Sequence, residues 1–496
     1  MAATAYLLAP ALLFLGSWAQ PWIGVSGVVA GLAALALTRG WRVRVPLDTG
    51  AAVLCLTLGL VWAAATGAHH LVYATADWEI RDAVLHDLSA GPWPVAYRDV
   101  AGGAETLLRA PLGFYLPAGL VGRAMGFHVA QAALWAWTGL GLGLVLTLLA
   151  TIAREAFPGR RGAAVTVAGL FVLFGGLDIL PNMWLDAGAG IGPFGSWGRG
   201  GEWWARLFQY SGHVTALLWA PNHALPAWLV ALLLLRHGRN PEFLRGAALP
   251  LAGGAFWSPV ATAGAAVLVV ASALRQGGSA ILRAAVSPVN WLGVALAVPV
   301  CLYLVAGSAA VRHEALLSAY LAGRAIGIWA LFLMVEVLCW AALAAVLVRG
   351  WLFGVSVAML CLLPAYIFGP GNEMTSRGGL APLAVLAVMS AVALLAPAAS
   401  RAQQAARGGL VVCAVLATLG SAMEGSLLVA KRPWAASDHC SFPEAARQSV
   451  FEDSTDWSHY LAPWPEATLR GWMRDPVRRD VPPPGVSPPC WTEGGP

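Results

Sequence analysis

The sequence predicts an all-α polytopic membrane protein, a bundle of about thirteen helices with a large first extracytoplasmic loop. Three observations lead there. Of 496 residues, 58% are hydrophobic and 11% charged, and no soluble fold of that length hides so much apolar surface. The apolar residues fall in long runs, and a membrane crossing needs about 20 such residues. The charges between the runs are unevenly divided, with arginine on one side and carboxylates on the other.

Taken in order, candidate helices cover residues 3–18, 21–38, 48–65, 128–151, 163–181, 213–235, 246–256, 258–274, 291–307, 327–348, 352–368, 379–397 and 408–428. The first run has no basic stretch before it and is followed at once by a second, so it reads as a membrane helix rather than a cleaved leader. The pair flanking Ser258-Pro259 reads as a helical hairpin, because proline disfavours helical geometry at the residue before it. With the N-terminus inside, the cytoplasmic loops collect fourteen arginines, Arg39, Arg42 and Arg44 among them, against Glu155 and Glu242. The opposite loops hold nearly all remaining acids. Residues 1–430 then form the membrane domain, 66–127 its first extracytoplasmic loop and 431–496 an extracytoplasmic tail. That tail carries five tryptophans, Trp434 to Trp491, and fits either a cap on the outer face or a segment lying on lipid headgroups.

Several function classes are excluded. The formal charge of +5 comes from scattered arginines with no basic stripe, so nucleic acid is not a partner. No phosphate-binding loop, dinucleotide fingerprint or nucleophile elbow is present, and no histidine or cysteine spacing assigns a metal. One lysine, Lys431, against 29 arginines is the bias of a GC-rich bacterial genome. Cys440 and Cys490 stand in the tail, where a disulfide would close a long loop.

The residues able to carry chemistry cluster in a few places. The first outer loop offers Asp77, Glu79, Asp82 and His86 directly after a membrane helix, with Asp82 and His86 on one face of any helix there. A carboxylate held at a membrane surface accepts a proton from a hydroxyl while arginines neutralise a phosphate; the same spacing fits a solvated acidic face. Asp178 follows two glycines at a helix end. Asn222 and His223 lie between Pro221 and Pro226, where a kink would line a cavity, or where neighbouring helices would satisfy both side chains. Asn372, Glu373 and Arg377 occupy a glycine-rich turn. Glu336, deep in an apolar helix, is either functional or a protonated acid bonded to a neighbour.

These stretches resemble the GT-C superfamily of membrane glycosyltransferases. Asp77-Trp78-Glu79, Gly91-Pro92-Trp93-Pro94, Leu108-Arg109-Ala110-Pro111, Phe174 to Asp178, Pro221 to Pro226 and Gly371 to Arg377 look like a largely uncharacterised bacterial branch of it, over roughly residues 50–400. The branch's late motif reads Asn-Asp where this chain has Asn372-Glu373. The resemblance implies an inverting glycosyltransferase that moves a sugar from a polyprenyl-phosphate donor to a glycan, lipid or protein acceptor of the cell envelope, without a cofactor. It implies Asp77 as base with Glu79 as helper, and Arg81, Arg109 and Arg377 as phosphate contacts. Asp82, His86, Asp178, Asn222, His223, Asn372 and Glu373 would line the pocket. The expected setting is the bacterial inner membrane, with lipids as partners. The rival expectations are a transporter or flippase of an amphipathic solute and a non-catalytic assembly subunit.

Overall fold

The chain is a helical multi-pass membrane protein, seen in a computed structural model that describes all residues except 39–46, 101–104, 193, 194, 196, 199, 309, 310, 312, 317–322, 370, 450–456, 458, 484 and 492–496. Arg39, Arg42 and Arg44 of the arginine-rich loops lie outside the described residues. Every one of the thirteen predicted stretches is helical for most of its length. Seven helices among the described residues are long and apolar enough to cross a bilayer: Thr49–Thr66, Phe127–Ala156, Pro259–Gln276, Pro288–Val305, Ile326–Leu347, Glu373–Leu395 and Arg401–Ala430. Five more are apolar but shorter, including α1 (Ala2–Trp18), α2 (Pro21–Leu37) and Trp351–Ala365.

Local chemistry sets the helix ends. Pro21, Pro221, Pro259 and Pro288 begin helices, where the missing N–H is no loss. Asp48 caps α3 (Thr49–Ala63) by accepting from Ala51 N at 2.7 Å. Ser400 and Gln403 form a capping box on Arg401–Gly425. Next along the chain come α4 (Asp77–Ser89), α5 (Leu116–Met125), α6 (Phe127–Ala156), α7 (Ala163–Val172) and α8 (Ile179–Gly188). Helix α3 lies so close to α6 that a side chain at Gly59 would collide with the backbone of Gly139 and Gly143, the small-residue contact favoured where lipid gives no hydrophobic drive. Exposed Trp22, Val25, Val29 and Leu32 on α2 belong to the apolar perimeter of the bundle.

The predicted helix 213–235 is in fact two, α9 (His213–Trp219) and α10 (Pro221–His237). Ala220 between them has φ −146° and ψ 51°, because Pro221 bars helical geometry at the residue before it. The stretch 163–181 likewise stops at Val172, and Asp178 begins α8 as a separate element. Ser258 breaks the chain between Ala248–Trp257 and Pro259–Gln276 with φ −162° and ψ 99°.

Two small sheets accompany the helices. Strands β1 (Val95–Asp99) and β2 (Glu105–Leu108) of the 66–127 loop join two tail strands in a four-stranded sheet. A second, two-stranded sheet pairs β3 (His313–Ala315) with β4 (Tyr366–Phe368). In the larger sheet β5 (Leu461–Pro463) runs antiparallel to β2, and β6 (Val477–Val481) runs parallel to β1. Cys440 and Cys490 are disulfide-bonded. Trp434 is buried and donates to Ala74 O at 2.7 Å. The tail therefore packs on the 66–127 loop.

Candidate functional site

Helix α4 presents its first turn under the tail. Asp77 opens it with its side chain 40% exposed, and Glu79 is buried. Arg81, one turn on, is also buried, and its guanidinium is committed to the protein. Its Nη1 donates to Asn222 Oδ1 at 2.7 Å and to the Tyr115 hydroxyl at 3.3 Å; its Nη2 donates to Trp219 O at 2.6 Å and reaches Asp77 at 3.5 Å. Arg81 thereby ties the loop to the α9–α10 break. The carbonyl it takes from Trp219 and the side chain it takes from Asn222 stand at the two sides of that break, which the proline created.

His223 follows, with Nδ1 2.8 Å from Ser258 Oγ and Nε2 3.4 Å from Asn222 Nδ2, and with Arg81 and Arg377 as electrostatic neighbours. Arg377 arrives from the turn after β4. Its side chain is 39% exposed, and its contact with Glu373 is a loose 3.8 Å, an exposed pairing that contributes little. Asn372 sits at φ 49° and donates to Leu207 O at 3.0 Å.

One tail residue lies among these groups. Tyr460 has Arg81, Asp77, Arg377 and Glu373 as its electrostatic neighbours, and its carbonyl accepts from Arg109 N at 2.7 Å. Sequence reasoning missed it, because a tyrosine between His459 and Leu461 carries no motif. Arg109 itself is buried, next to Tyr303.

The remaining predicted site residues lie apart. Asp82 does not share a contact with His86. It meets His70 Nε2 at 2.6 Å, and the His70 ring stands edge-on to Trp434 at 4.5 Å. Burial works against a charge on His70, but the Asp82 carboxylate outweighs it and raises the imidazole above 6.5. His86 faces Phe127 and lies 3.5 Å from Asp87.

Asp178 belongs to a second cluster. Trp204 Nε1 donates to Asp178 Oδ1 at 2.8 Å and to Glu336 Oε1 at 3.3 Å, which brings these two carboxyls together. Glu202 accepts from Gly212 N at 2.7 Å and Gln209 Nε2 at 3.3 Å, and Glu424 accepts from Gly201 N. All four acids are buried, and among the described residues none is in an ion pair. Glu336 sits on a π-helical stretch, Met334–Leu338, a local widening often found at functional positions. An apolar cavity of about 960 Å³ adjoins this stretch, walled by Leu177, Met334, Leu338, Phe353, Val412 and Leu416. The Trp219 side chain approaches Glu424 while the Trp219 carbonyl holds Arg81, so one residue bridges the two clusters. Glu424 was legible by the rule that singled out Glu336, an acid inside an apolar run; Glu202 was visible only as one acid of a loop. Among the described residues no group of three or more histidine, cysteine or acidic side chains is placed to hold a metal ion.

Glu202, between α8 and α9, yields a pH prediction. Burial pushes its carboxyl well above the usual 4.5, and Asp178 and Glu424 push it further. A raised folded-state value means that its contribution is complete below the ordinary carboxyl range and is lost as pH rises through the folded value. Wild-type melting temperature in detergent should therefore fall as pH climbs above that range. Glu202→Gln should show a shallower fall, and equal slopes for the two proteins would place an ionised glutamate there instead.

Comparison of the chain with family models, with curated proteins and with solved structures finds no match to any of them.

Proposed function

We propose that the chain is an inverting glycosyltransferase that uses a polyprenyl-phosphate sugar. The observation that carries the reading is that Asp77 and Arg377 are both electrostatic neighbours of the tail residue Tyr460. They lie 300 positions apart in sequence, both keep partly exposed side chains, and both neighbour Tyr460 under the tail. Asp77 takes the proton of an acceptor hydroxyl as its oxygen bonds to the anomeric carbon from the face opposite the phosphate. The bond from that carbon to the phosphate oxygen breaks, and polyprenyl phosphate leaves with the electron pair. Arg377 meets the charge on the leaving phosphate with paired N–H donors. Arg81 and Arg109, both buried, hold the frame around the site.

The orientation that goes with this reading places the N-terminus in the cytoplasm, and the 66–127 loop and the tail outside the bacterial inner membrane. The arginine asymmetry supports it, as does the Cys440–Cys490 bond, since disulfides persist in oxidising compartments. A second reading, transport of an amphipathic solute, draws on the four buried acids and the apolar cavity beside Glu336.

Arg377 gives the test. Arg377→Gln is expected to weaken binding of a polyprenyl-phosphate sugar roughly ten- to hundred-fold, the worth of hydrogen bonds to a charged group. Arg377→Lys should fall between, since an ammonium keeps the charge but not the paired geometry. Melting temperature should hardly move, given the loose contact to Glu373. A stable Arg377→Gln protein with unchanged donor affinity removes Arg377 from the site. Full transferase activity after Glu336→Gln is expected; its loss together with a pH-gradient-driven flux would favour transport.

A further inference from the structure

A short helix linking two membrane spans presents a surface that the transferase chemistry does not use. Gly278–Ala285 lies between Pro259–Gln276 and Pro288–Val305, both long and apolar enough to cross a bilayer. A helix in that place sits where the bilayer ends. Gly277, at φ 87°, turns the chain out of the first span, and Pro288 opens the second. The linking helix is fastened to its surroundings. Asn290 Nδ2 donates to Ala284 O at 2.9 Å and to Leu244 O at 2.8 Å, which ties its last turn to the short helix Pro241–Leu244.

Its faces are the reverse of those of a helix lying on a water-soluble protein. Ala280 is buried and Ala284 half-buried, and these small side chains, one turn apart, make the side against the bundle. Leu282 and, just past the helix end, Val286 are each 64% exposed on the other side, with Ile281 exposed beside them. Water penalises an outward apolar face and hydrocarbon does not, so this face belongs among lipid chains at the bilayer boundary.

The charge beside that face has one sign. Arg239, Arg275 and Arg283 are exposed, and among the described residues none of the three has a hydrogen-bonding or acidic partner. Gly238 O accepts from Ser272 Oγ and from Gln276 Nε2, both at 2.6 Å, so the turn carrying Arg239 is held against the end of the span carrying Arg275. Glu242 is the only acid from residue 239 to residue 290, and it is taken by Arg245 at 2.9 Å. Uncompensated guanidiniums next to an apolar face match a phosphate joined to hydrocarbon chains and carrying no cation of its own.

We propose that the linking helix and the turn at Arg239 form a docking surface for anionic phospholipid, with the arginines on headgroup phosphates and Ile281, Leu282 and Val286 among the chains. The inference stands whether or not the protein is a glycosyltransferase.

The test titrates the full purified chain in nonionic detergent with phosphatidylglycerol, phosphatidylcholine and chain-free glycerol 3-phosphate, reading bound ligand by native mass spectrometry. Wild type should prefer phosphatidylglycerol and hold glycerol 3-phosphate weakly. Arg275→Gln combined with Arg283→Gln should weaken phosphatidylglycerol roughly 25-fold, about five-fold for each charge near an anionic lipid surface, with phosphatidylcholine binding and melting temperature unchanged. Leu282→Ser should weaken both lipids alike. Arg432→Gln combined with Arg470→Gln removes the same charge from exposed positions of the tail and should change neither lipid. Unchanged phosphatidylglycerol affinity in the helix double variant overturns the inference. An equal loss in the tail double variant also overturns it, by making net charge the cause. If Leu282→Ser splits a wild-type dimer and leaves lipid binding intact, the surface is a contact between two copies and the inference fails.

Discussion

Asp77→Asn should lower the rate of glycosyl transfer by roughly 100-fold to 10,000-fold, the range that a positioned general base contributes, while the protein folds as before. The substitution keeps the size and the hydrogen-bonding outline of the side chain and removes its basicity. Folding is expected to survive because Asp77 is only 3.5 Å-close to Arg81, whose stronger bonds go to Trp219 O at 2.6 Å and Asn222 at 2.7 Å. An exposed acid at the first position of a helix also contributes little to packing; asparagine there loses only a modest favourable interaction with the helix dipole. Steady-state transfer from a polyprenyl-phosphate sugar by the purified variant, read beside its melting curve, separates the two effects. Glu79 is the internal comparison. It is 7% exposed against 40% for the Asp77 side chain, so Glu79→Gln should disturb stability more than turnover. Near-normal transfer by Asp77→Asn with loss in Glu79→Gln would exchange the two roles.

The parts of this fold that were legible in the sequence are those set by local chemistry. Apolar runs and the prolines at their first turns mark helices wherever they occur, because a helix in lipid satisfies its backbone within one segment. Thus Pro259 announces a helix start that the structure contains. The break at Ala220 was only half legible. Pro221 signalled a disturbance, but whether a helix bends or restarts depends on what takes up the freed backbone groups. Here it is Arg81, 139 positions upstream of Ala220, that takes the Trp219 carbonyl.

What was hidden is what long-range pairing decides. Val95–Asp99 lies against Val477–Val481, and neither segment has a pattern that names the other. Arg478 and Arg479 of β6 read as ordinary tail charges until their partners Glu105 and Asp87 are in place. The site shows the same division. Asp77 and Arg377 could be chosen from position in the chain, each at the end of an apolar run. Tyr460 could not, because its relevance comes wholly from where the sheet carries it. Asp178 and Glu336 stood out singly as acids near or within apolar helices, whereas their convergence on the Trp204 indole is tertiary.

The sheet that carries Tyr460 is locked by one buried acid, and removing it should have the largest effect on stability of any single change in the cap. Asp87 is fully buried at the end of α4. Its Oδ2 accepts from the Tyr97 hydroxyl at 2.5 Å and from Phe442 N at 2.7 Å, and its Oδ1 accepts from Arg479 Nη1 at 2.7 Å. Arg479 Nη2 also donates to the Asp87 carbonyl. One side chain therefore joins α4, β1, β6 and the start of the tail. Asp87→Ala leaves a guanidinium that is 21% exposed without its counter-ion and strands the Tyr97 hydroxyl and the Phe442 N–H. Breaking a buried charge pair from one side costs about 3–5 kcal/mol, because the partner stays desolvated. Asp87→Asn should cost less, since an amide oxygen still accepts from one donor. The expected result for Asp87→Ala is a lower melting temperature together with faster limited proteolysis of residues beyond 431, the Cys440–Cys490 bond remaining closed. A variant with wild-type melting and wild-type protease resistance would show that the cap is held by its apolar contacts, with Asp87 a passenger in an interface that closes without it.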